Sequence, residues 1–255
     1  MKLKHLAYAA VFSLSAIVVE RLCHKATDGF LIGHVQCELP YQKEWETERG
    51  DAELSILTQN FHYMGKGAQT YVLASEDGKY ILKLFKFHHL KSKQHELDTL
   101  LQSYKLAFEE AREETGLLAV HLNATSDLKR KISLVDKLGI VHKIDADRTH
   151  FILQKRAQLV LPTLKEFHAQ GNLQAAKDAL SSLLKLGKEL ENRELYDSDA
   201  HLFKNYGFIE SAPILLDCGN LSKNKNAYKL KAGALRSWIG KEWPELSAWF
   251  EQEFK

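Results

Sequence analysis

Two glycines set two positions apart inside a β-rich stretch constrain this chain more than any other feature. The run Tyr63-Met-Gly-Lys-Gly-Ala-Gln-Thr-Tyr-Val-Leu73 is followed by Glu76-Asp-Gly-Lys79 and then by Tyr80-Ile-Leu-Lys-Leu84. Aromatic and branched residues flank each turn signal, and Asp-Gly is a strong two-residue hairpin turn. The pattern predicts strands over 55–63, 69–75 and 80–87, with a Gly-rich turn between the first two. Strand alternation puts Ile81, Lys83 and Phe85 on one face and Leu82, Leu84 and Lys86 on the other. Lys83 thus lies between two large apolar residues on a face that the fold will cover. A lysine there requires a partner.

A second block lies far downstream, Glu194-Leu-Tyr-Asp-Ser-Asp-Ala-His-Leu-Phe-Lys-Asn-Tyr-Gly207, followed by Pro213-Ile-Leu-Leu-Asp-Cys-Gly-Asn220. It offers carboxylates at Asp197 and Asp199, an amide at Asn205, and Asp217 at the mouth of an apolar strand, Ile214–Leu216. An amide and a carboxylate are hard oxygen donors of the kind Mg²⁺ takes, and a further carboxylate can orient a hydroxyl and accept its proton. Asp197, Asp199 and His201 could instead form a small metal cluster.

With its glycine turn, strand lysine and Asp–Asn–Asp block in that order, the chain resembles the protein-kinase-like superfamily in a shortened, atypical bacterial form. The resemblance covers roughly residues 55–222. Gly65, Gly67 and Val72 fall in register with the family's Gly-x-Gly-x-x-Gly-x-Val loop, and Thr70 stands at the third glycine. It departs elsewhere. Leu195-Tyr196-Asp197 replaces His-Arg-Asp, Cys218 is the middle residue of the Asp-x-Gly, and no Ala-Pro-Glu follows. The resemblance implies an α+β fold of two lobes, a five-stranded antiparallel small lobe and a reduced, mostly helical large lobe. It implies ATP and Mg²⁺ as cofactors. Gly65, Lys66, Gly67, Thr70 and Lys83 would bind nucleotide, Asn205 and Asp217 would hold the metal, and Asp199 or Asp197 would serve the hydroxyl acceptor. A pseudokinase acting as a nucleotide-binding or protein-interaction module without catalysis is the alternative.

The rest of the chain is read around these blocks. Residues 91–115 predict one long helix with its apolar stripe at Leu97, Leu100, Leu101, Tyr104, Phe108 and Ala111, ended by Gly116. It occupies the place of the kinase helix whose glutamate pairs with the strand lysine, and Glu96, Glu110 and Glu114 are the candidates. Runs at Leu117–Leu122, Ile132–Asp136, Ile140–Lys143 and Thr149–Gln154 complete the small-lobe sheet, and Gln154–Ala157 is the expected hinge. Pro162 opens a short helix, and Leu173–Asn192 is amphipathic through Ala176, Leu180, Leu183, Leu184, Gly187 and Leu190. The tail carries Trp238, Trp243 and Trp249. The expected divisions are a signal peptide or anchor over 1–23, a lead-in over 24–54, a small lobe over 55–157 and a large lobe over 158–255.

Charge excludes one class of partner. Thirty-five basic against 33 acidic residues give a net +2, so there is no general case for nucleic-acid binding. Three cysteines, Cys23, Cys37 and Cys218, make neither a disulfide framework nor a zinc spacing, and Cys218 reads as a small core residue. His88, His89, His142 and His150 lack partners at ligand spacing and read as surface residues. The N-terminus is basic at Met1–His5 and then apolar and uncharged for 14 residues, Leu6 to Val19. That fits an export signal or an anchor, and is short for a membrane span. Membrane attachment through residues 6–22, export, and secretion into a host cell are the expectations that follow.

Overall fold

The computed structural model describes residues 2–48, 50–90, 93–227 and 230–254. Helix α1, Lys2–Thr27, takes up the apolar N-terminal run, and every side chain from Val11 to Leu22 is exposed. Among the described residues no helix is long and apolar enough to cross a membrane. Asp28 and Gly29, both with positive φ, turn the chain back toward the main body. The lead-in then does more than connect. It carries two short helices, α2 (Ile32–Val35) and α3 (Asp51–Ser55), and buries Phe30, Val35, Leu54 and Leu57 against Phe61, Tyr71 and Leu73 on one face of the sheet.

The sheet has seven strands where five were expected, in the order β4-β7-β3-β2-β1-β5-β6. They are β1 Asn60–Lys66, β2 Thr70–Ser75, β3 Tyr80–Phe85, β4 Leu117–His121, β5 Lys131–Val135, β6 Val141–Asp145 and β7 Phe151–Lys155. β4 to β1 in that order are antiparallel throughout. The two extra strands form a hairpin whose turn is organised by Asp136, its carboxylate accepting from the Leu138 and Ile140 amides. This hairpin is added to the outer side of β1, pairing parallel to it at Asn60–His62, and so covers an edge that would otherwise present bare backbone groups. The turn after β1 is also tighter than the pattern indicated. β1 runs through Gly65 and Lys66, with a bulge between Tyr63 and Gly65, so the connection is Gly67–Gln69.

β3 leads into a short helix, α4 (Phe87–Leu90), and then α5, Gln94–Glu110. Lys91 and Ser92, the expected start of the long helix, lie outside the described residues. All six residues of its apolar stripe are buried. It breaks at Ala111, whose φ of −140° is not helical, and a last turn, α6 (Arg112–Thr115), ends at left-handed Gly116. α5 shares one core with Phe85 and Ile152 from the sheet, while Leu82 and Leu84 pack on the opposite face with the lead-in. Lys83 therefore projects toward α5, as the alternation indicated.

Beyond β7 the chain crosses to the helical half through β8 (Gln158–Leu159), then α7 (Val160–Ala169) with Pro162 in its first turn, and α8 (Leu173–Asn192). α8 buries Ala176, Leu180, Leu183, Leu186 and Leu190, so Leu186 joins the expected inner face, while Leu184 packs against the core half-buried. The segments that follow are short: β9 Tyr196–Asp197, β10 Ala200–His201, β11 Tyr206–Ile209, β12 Ala212–Leu215, β13 Leu221–Ser222 and β14 Leu230–Lys231. β11 lies between β8 and β12, β9 pairs with β13, and β10 pairs in parallel with β14. Two helices close the chain, α9 (Gly233–Glu242) and α10 (Pro244–Glu253). Cys218 is fully buried, as expected; His150, expected at the surface, is fully buried too.

Candidate functional site

Lys83 is a buried cation next to the second motif block. Its ammonium donates to the backbone carbonyl of Leu216 at 2.6 Å and sits 5.9 Å from the centre of the Tyr104 ring. The same carbonyl accepts from the side-chain amide of Gln154 at 3.2 Å. The lysine thus reaches 133 positions along the chain to the residue before Asp217, which ties the sheet to the second motif block. None of the three candidate glutamates partners it. Glu96 pairs with Lys93, Glu110 with Lys223 and Glu114 with Arg193. The α5 side chain that lines the cleft is Tyr104, fully buried. Burial first, then the nearby Asp217 charge, pushes this phenol well above its ordinary pKa.

Asn205 holds the second block together. It is buried; its side-chain NH₂ donates to the Asp199 carbonyl at 2.7 Å, and its own carbonyl accepts from the amides of Leu216 at 2.7 Å and Asp217 at 3.4 Å. One residue therefore fixes Asp199 on one side and Asp217 on the other. With its NH₂ engaged, the amide oxygen of Asn205 is left to act as a donor to a cation. Asp217 lies two residues past β12 and is exposed, with Oδ1 accepting from the Gly219 amide at 3.2 Å.

Asp197 and Asp199 have different environments. Asp197 is buried, and its Oδ1 accepts from the Asp199 amide at 2.8 Å, while Oδ2 is buried without a partner. Burial pushes its pKa up to about 7, helped by the Asp217 and Asp199 charges. Asp199 is partly exposed, is ion-paired with Lys231 on β14 and has His201 at 4.0 Å. The alternative of a metal cluster at Asp197, Asp199 and His201 finds no support: among the described residues no group of three His, Cys, Asp or Glu converges as cation ligands.

The glycine turn forms the lid. Gly67, Ala68, Gln69, Thr70, Tyr104, Asp199, Asp217 and Asn220 enclose a cleft of about 170 Å³. The lid is tethered. The buried Lys86 donates from its ammonium to the Gly67 carbonyl and from its amide to the Gln69 carbonyl at 2.8 Å, with the ammonium 4.8 Å from the Tyr71 ring centre. A cleft of this size is below the range of roughly 300–1,000 Å³ usual for small-molecule sites. Lys66 stands apart: it donates to the Asp28 carbonyl at 2.7 Å and does not line the cleft. A larger hollow of about 590 Å³ between Trp45–Glu48, Arg112 and Asn123 holds none of these residues. Its walls are already bonded to the protein, Asn123 to Gln42 and Arg112 to Leu118.

Of the expected site residues, Gly67, Thr70, Asp199 and Asp217 line this cleft, Lys83 and Asn205 bond to the Leu216 and Asp199 carbonyls beside it, and Gly65, Lys66 and Asp197 do not line it. Tyr104 and Lys231 were missed as site residues, and Gln154, expected only at the hinge, bonds through its side chain to the Leu216 carbonyl. Tyr104 was legible only as one apolar stripe position among six, and nothing in the spacing of Lys231 connects it to Asp199.

The chain thus joins a sheet bearing the glycine turn and a buried lysine to an Asp–Asn–Asp segment carried by a helical half. No protein-family model and no curated protein matches the chain. Among solved structures, the bifunctional kinase-methyltransferase WbdD aligns with a TM-score of 0.38 at 14% identity, over 82% of this chain and 39% of that one. Monomeric WbdD gives 0.39 at 15%, over 72% and 41%. WaaP in complex with acyl carrier protein gives 0.35 at 13%, over 85% and 95%. The chain therefore spans well under half the length of the WbdD chains it matches. With TM-scores below 0.5, these likenesses leave the weight of the site on the chain's own geometry.

Proposed function

We propose that this chain is a kinase-like ATP-binding protein that transfers a phosphoryl group from MgATP to a hydroxyl acceptor. One observation carries the reading: Asn205 locks Asp199 and Asp217 into one unit, directly opposite a buried lysine and under a glycine turn. Lys83 would bind phosphate oxygens, exchanging the Leu216 carbonyl for them. Backbone amides of the Gly67–Thr70 turn would cover the phosphates. The amide oxygen of Asn205 and the Asp217 carboxylate suit Mg²⁺, which usually takes one or two carboxylates and completes its shell with phosphate oxygens and water. Bound there, the metal would neutralise charge on the phosphates.

Asp199 fits the task of orienting the acceptor hydroxyl and taking its proton better than Asp197 does. It lines the cleft, and Lys231 fixes its carboxylate at the wall. Asp197 supports it from below through the Asp199 amide. Catalysis in such a site is positioning and charge neutralisation, with little covalent work for the protein.

A second reading, nucleotide binding without transfer, draws on the lack, among the described residues, of a carboxylate paired with Lys83 and on the small, tethered cleft. Either reading includes attachment to a lipid surface through residues 6–22. Tyr8, Val11, Phe12, Val18, Val19 and Leu22 are all more than half exposed, and the run is too short to span a bilayer.

The deciding experiment is a melt with millimolar ATP and Mg²⁺, followed by turnover on hydroxyl acceptors. A ligand at about 100 times its dissociation constant stabilises a fold by about 2.7 kcal/mol, and Asp217→Ala should lose the Mg²⁺-dependent part of that shift. Binding with no turnover selects the second reading. No stabilisation by ATP at any Mg²⁺ concentration refutes both.

A further inference from the structure

We infer that Lys86 is a positioning residue for phosphate binding, holding the glycine turn in its working shape from the lead-in side of the sheet. The inference rests on the MgATP reading above, in which the turn's backbone amides cover the phosphates. Lys86 is a cation placed in a core. Only 5% of its surface is exposed, and no carboxylate among the described residues pairs with it. Its ammonium has the Gly67 carbonyl and the Tyr71 ring, 4.8 Å from the ring centre. Desolvation first, then the nearby Lys66 charge, lowers its pKa. An ammonium so placed lowers stability, and a methionine of similar length would fill the space without that penalty.

What this cation secures is the segment that lines the cleft. Its ammonium holds the turn at the Gly67 carbonyl, and its amide holds it at the Gln69 carbonyl at 2.8 Å. Within the turn, the Gly67 amide donates to the Thr70 carbonyl at 2.9 Å. Gly67 and Ala68 are exposed, so packing does not fix them and the Lys86 bonds do. The platform beneath the ammonium is itself held. Tyr71 is buried, and its hydroxyl donates to the Gly29 carbonyl at 2.6 Å. A turn ordered in advance spares the nucleotide the entropy of ordering it. For the backbone of one residue that is worth about 5–30-fold in affinity. A buried cation that lowers stability is therefore retained for the phosphate cradle it preforms.

The test is Lys86→Met in the full chain. Without nucleotide, the melting temperature and the exchange rate of the Gly67 amide are compared with those of the parent. Calorimetric titrations with MgATP and with adenosine, which lacks phosphates, follow on both proteins. The expected melting temperature is at or above the parent's, and the Gly67 amide should exchange about tenfold faster or more. ATP affinity should fall about 5–30-fold while adenosine affinity stays unchanged. A variant that unfolds, melts below the parent, or loses ATP and adenosine affinity alike makes Lys86 a packing residue and overturns the inference. Unchanged exchange at Gly67 or unchanged ATP affinity overturns it too, and leaves the MgATP reading intact. If the parent chain binds no ATP with or without Mg²⁺, the MgATP reading fails and the inference goes with it.

Discussion

At the scale of single residues, two buried titratable groups pull stability in opposite directions over the same pH range. His150 is buried with both ring nitrogens unpartnered, against the edge of Phe87, and desolvation lowers its pKa to about 4. The unfolded chain, with an ordinary histidine near 6.5, binds more protons between these values, so His150 costs stability as pH falls from about 6.5 to 4. Asp197 does the reverse. Its pKa is raised to about 7, so the folded chain binds more protons between about 4 and 7, and stability is lost as pH rises through that range. His150→Phe should therefore gain over the parent at pH 4.5, and Asp197→Asn should gain at pH 7.5, each on the order of 1–3 kcal/mol. Melting temperatures of the three proteins across pH 4.5–7.5 check this, and parallel curves would refute both assignments. Neither group's environment was legible in the sequence. An isolated histidine reads as a surface residue because its burial depends on β7 and on α4, contributed from more than 60 positions upstream (150 − 87 = 63).

At the scale of elements, the motifs were legible where local pattern decides and illegible where long-range pairing decides. The hairpin at Asp77-Gly78, the stripe of α5 and the limits of α8 follow from turn chemistry and periodicity, and each holds. The strand count failed because a hairpin recognised by its alternation does not announce which edge it joins. The partner of Lys83 was missed because no spacing rule connects position 83 to a backbone carbonyl at 216. A close backbone approach within the helical half is equally hidden. Gly207, in β11, faces the backbone of β8 so closely that an added methyl would stand 2.4 Å from the Gln158 carbonyl oxygen. No real side chain tolerates that distance, and both partners are backbone, so the strands must part. Gly207→Ala should cost more than the roughly 1 kcal/mol typical of an average substitution, on the order of 3 kcal/mol or above. It should also loosen the segment next to Asn205. Urea unfolding gives the first quantity and amide exchange of residues 205–209 the second. A variant with parental stability would mean that the β8–β11 pairing is not closed in solution.

At the scale of the whole molecule, the N-terminal 57 residues divide into two parts with different physics. Phe30, Val35, Leu54 and Leu57 are buried in the sheet's outer core, while α1 leaves large apolar side chains in solvent along its length. The lead-in is also bonded to the strands that carry the lid. Lys66 and Tyr71 donate to the Asp28 and Gly29 carbonyls at 2.7 and 2.6 Å, and Phe30 meets Tyr71 edge-on at 5.1 Å. No described side chain of α1 belongs to the core, whereas removing the lead-in uncovers one face of the sheet. Deleting residues 2–22 should therefore shift the melting temperature by no more than 2–4 °C, the effect of about 1 kcal/mol in a chain of this size. The same deletion should abolish flotation with anionic vesicles if α1 is the lipid-binding element. Its exposed residues bury about 0.8 kcal/mol of transfer free energy per methylene placed in acyl chains, enough for stable attachment once several insert together. A deleted chain that still floats would assign the lipid contact to the body of the protein. A full chain that never floats would leave α1 without a bilayer role. Deleting through residue 57 instead strips Phe30, Val35, Leu54 and Leu57 from the sheet, and that chain should fail to give a cooperative melt.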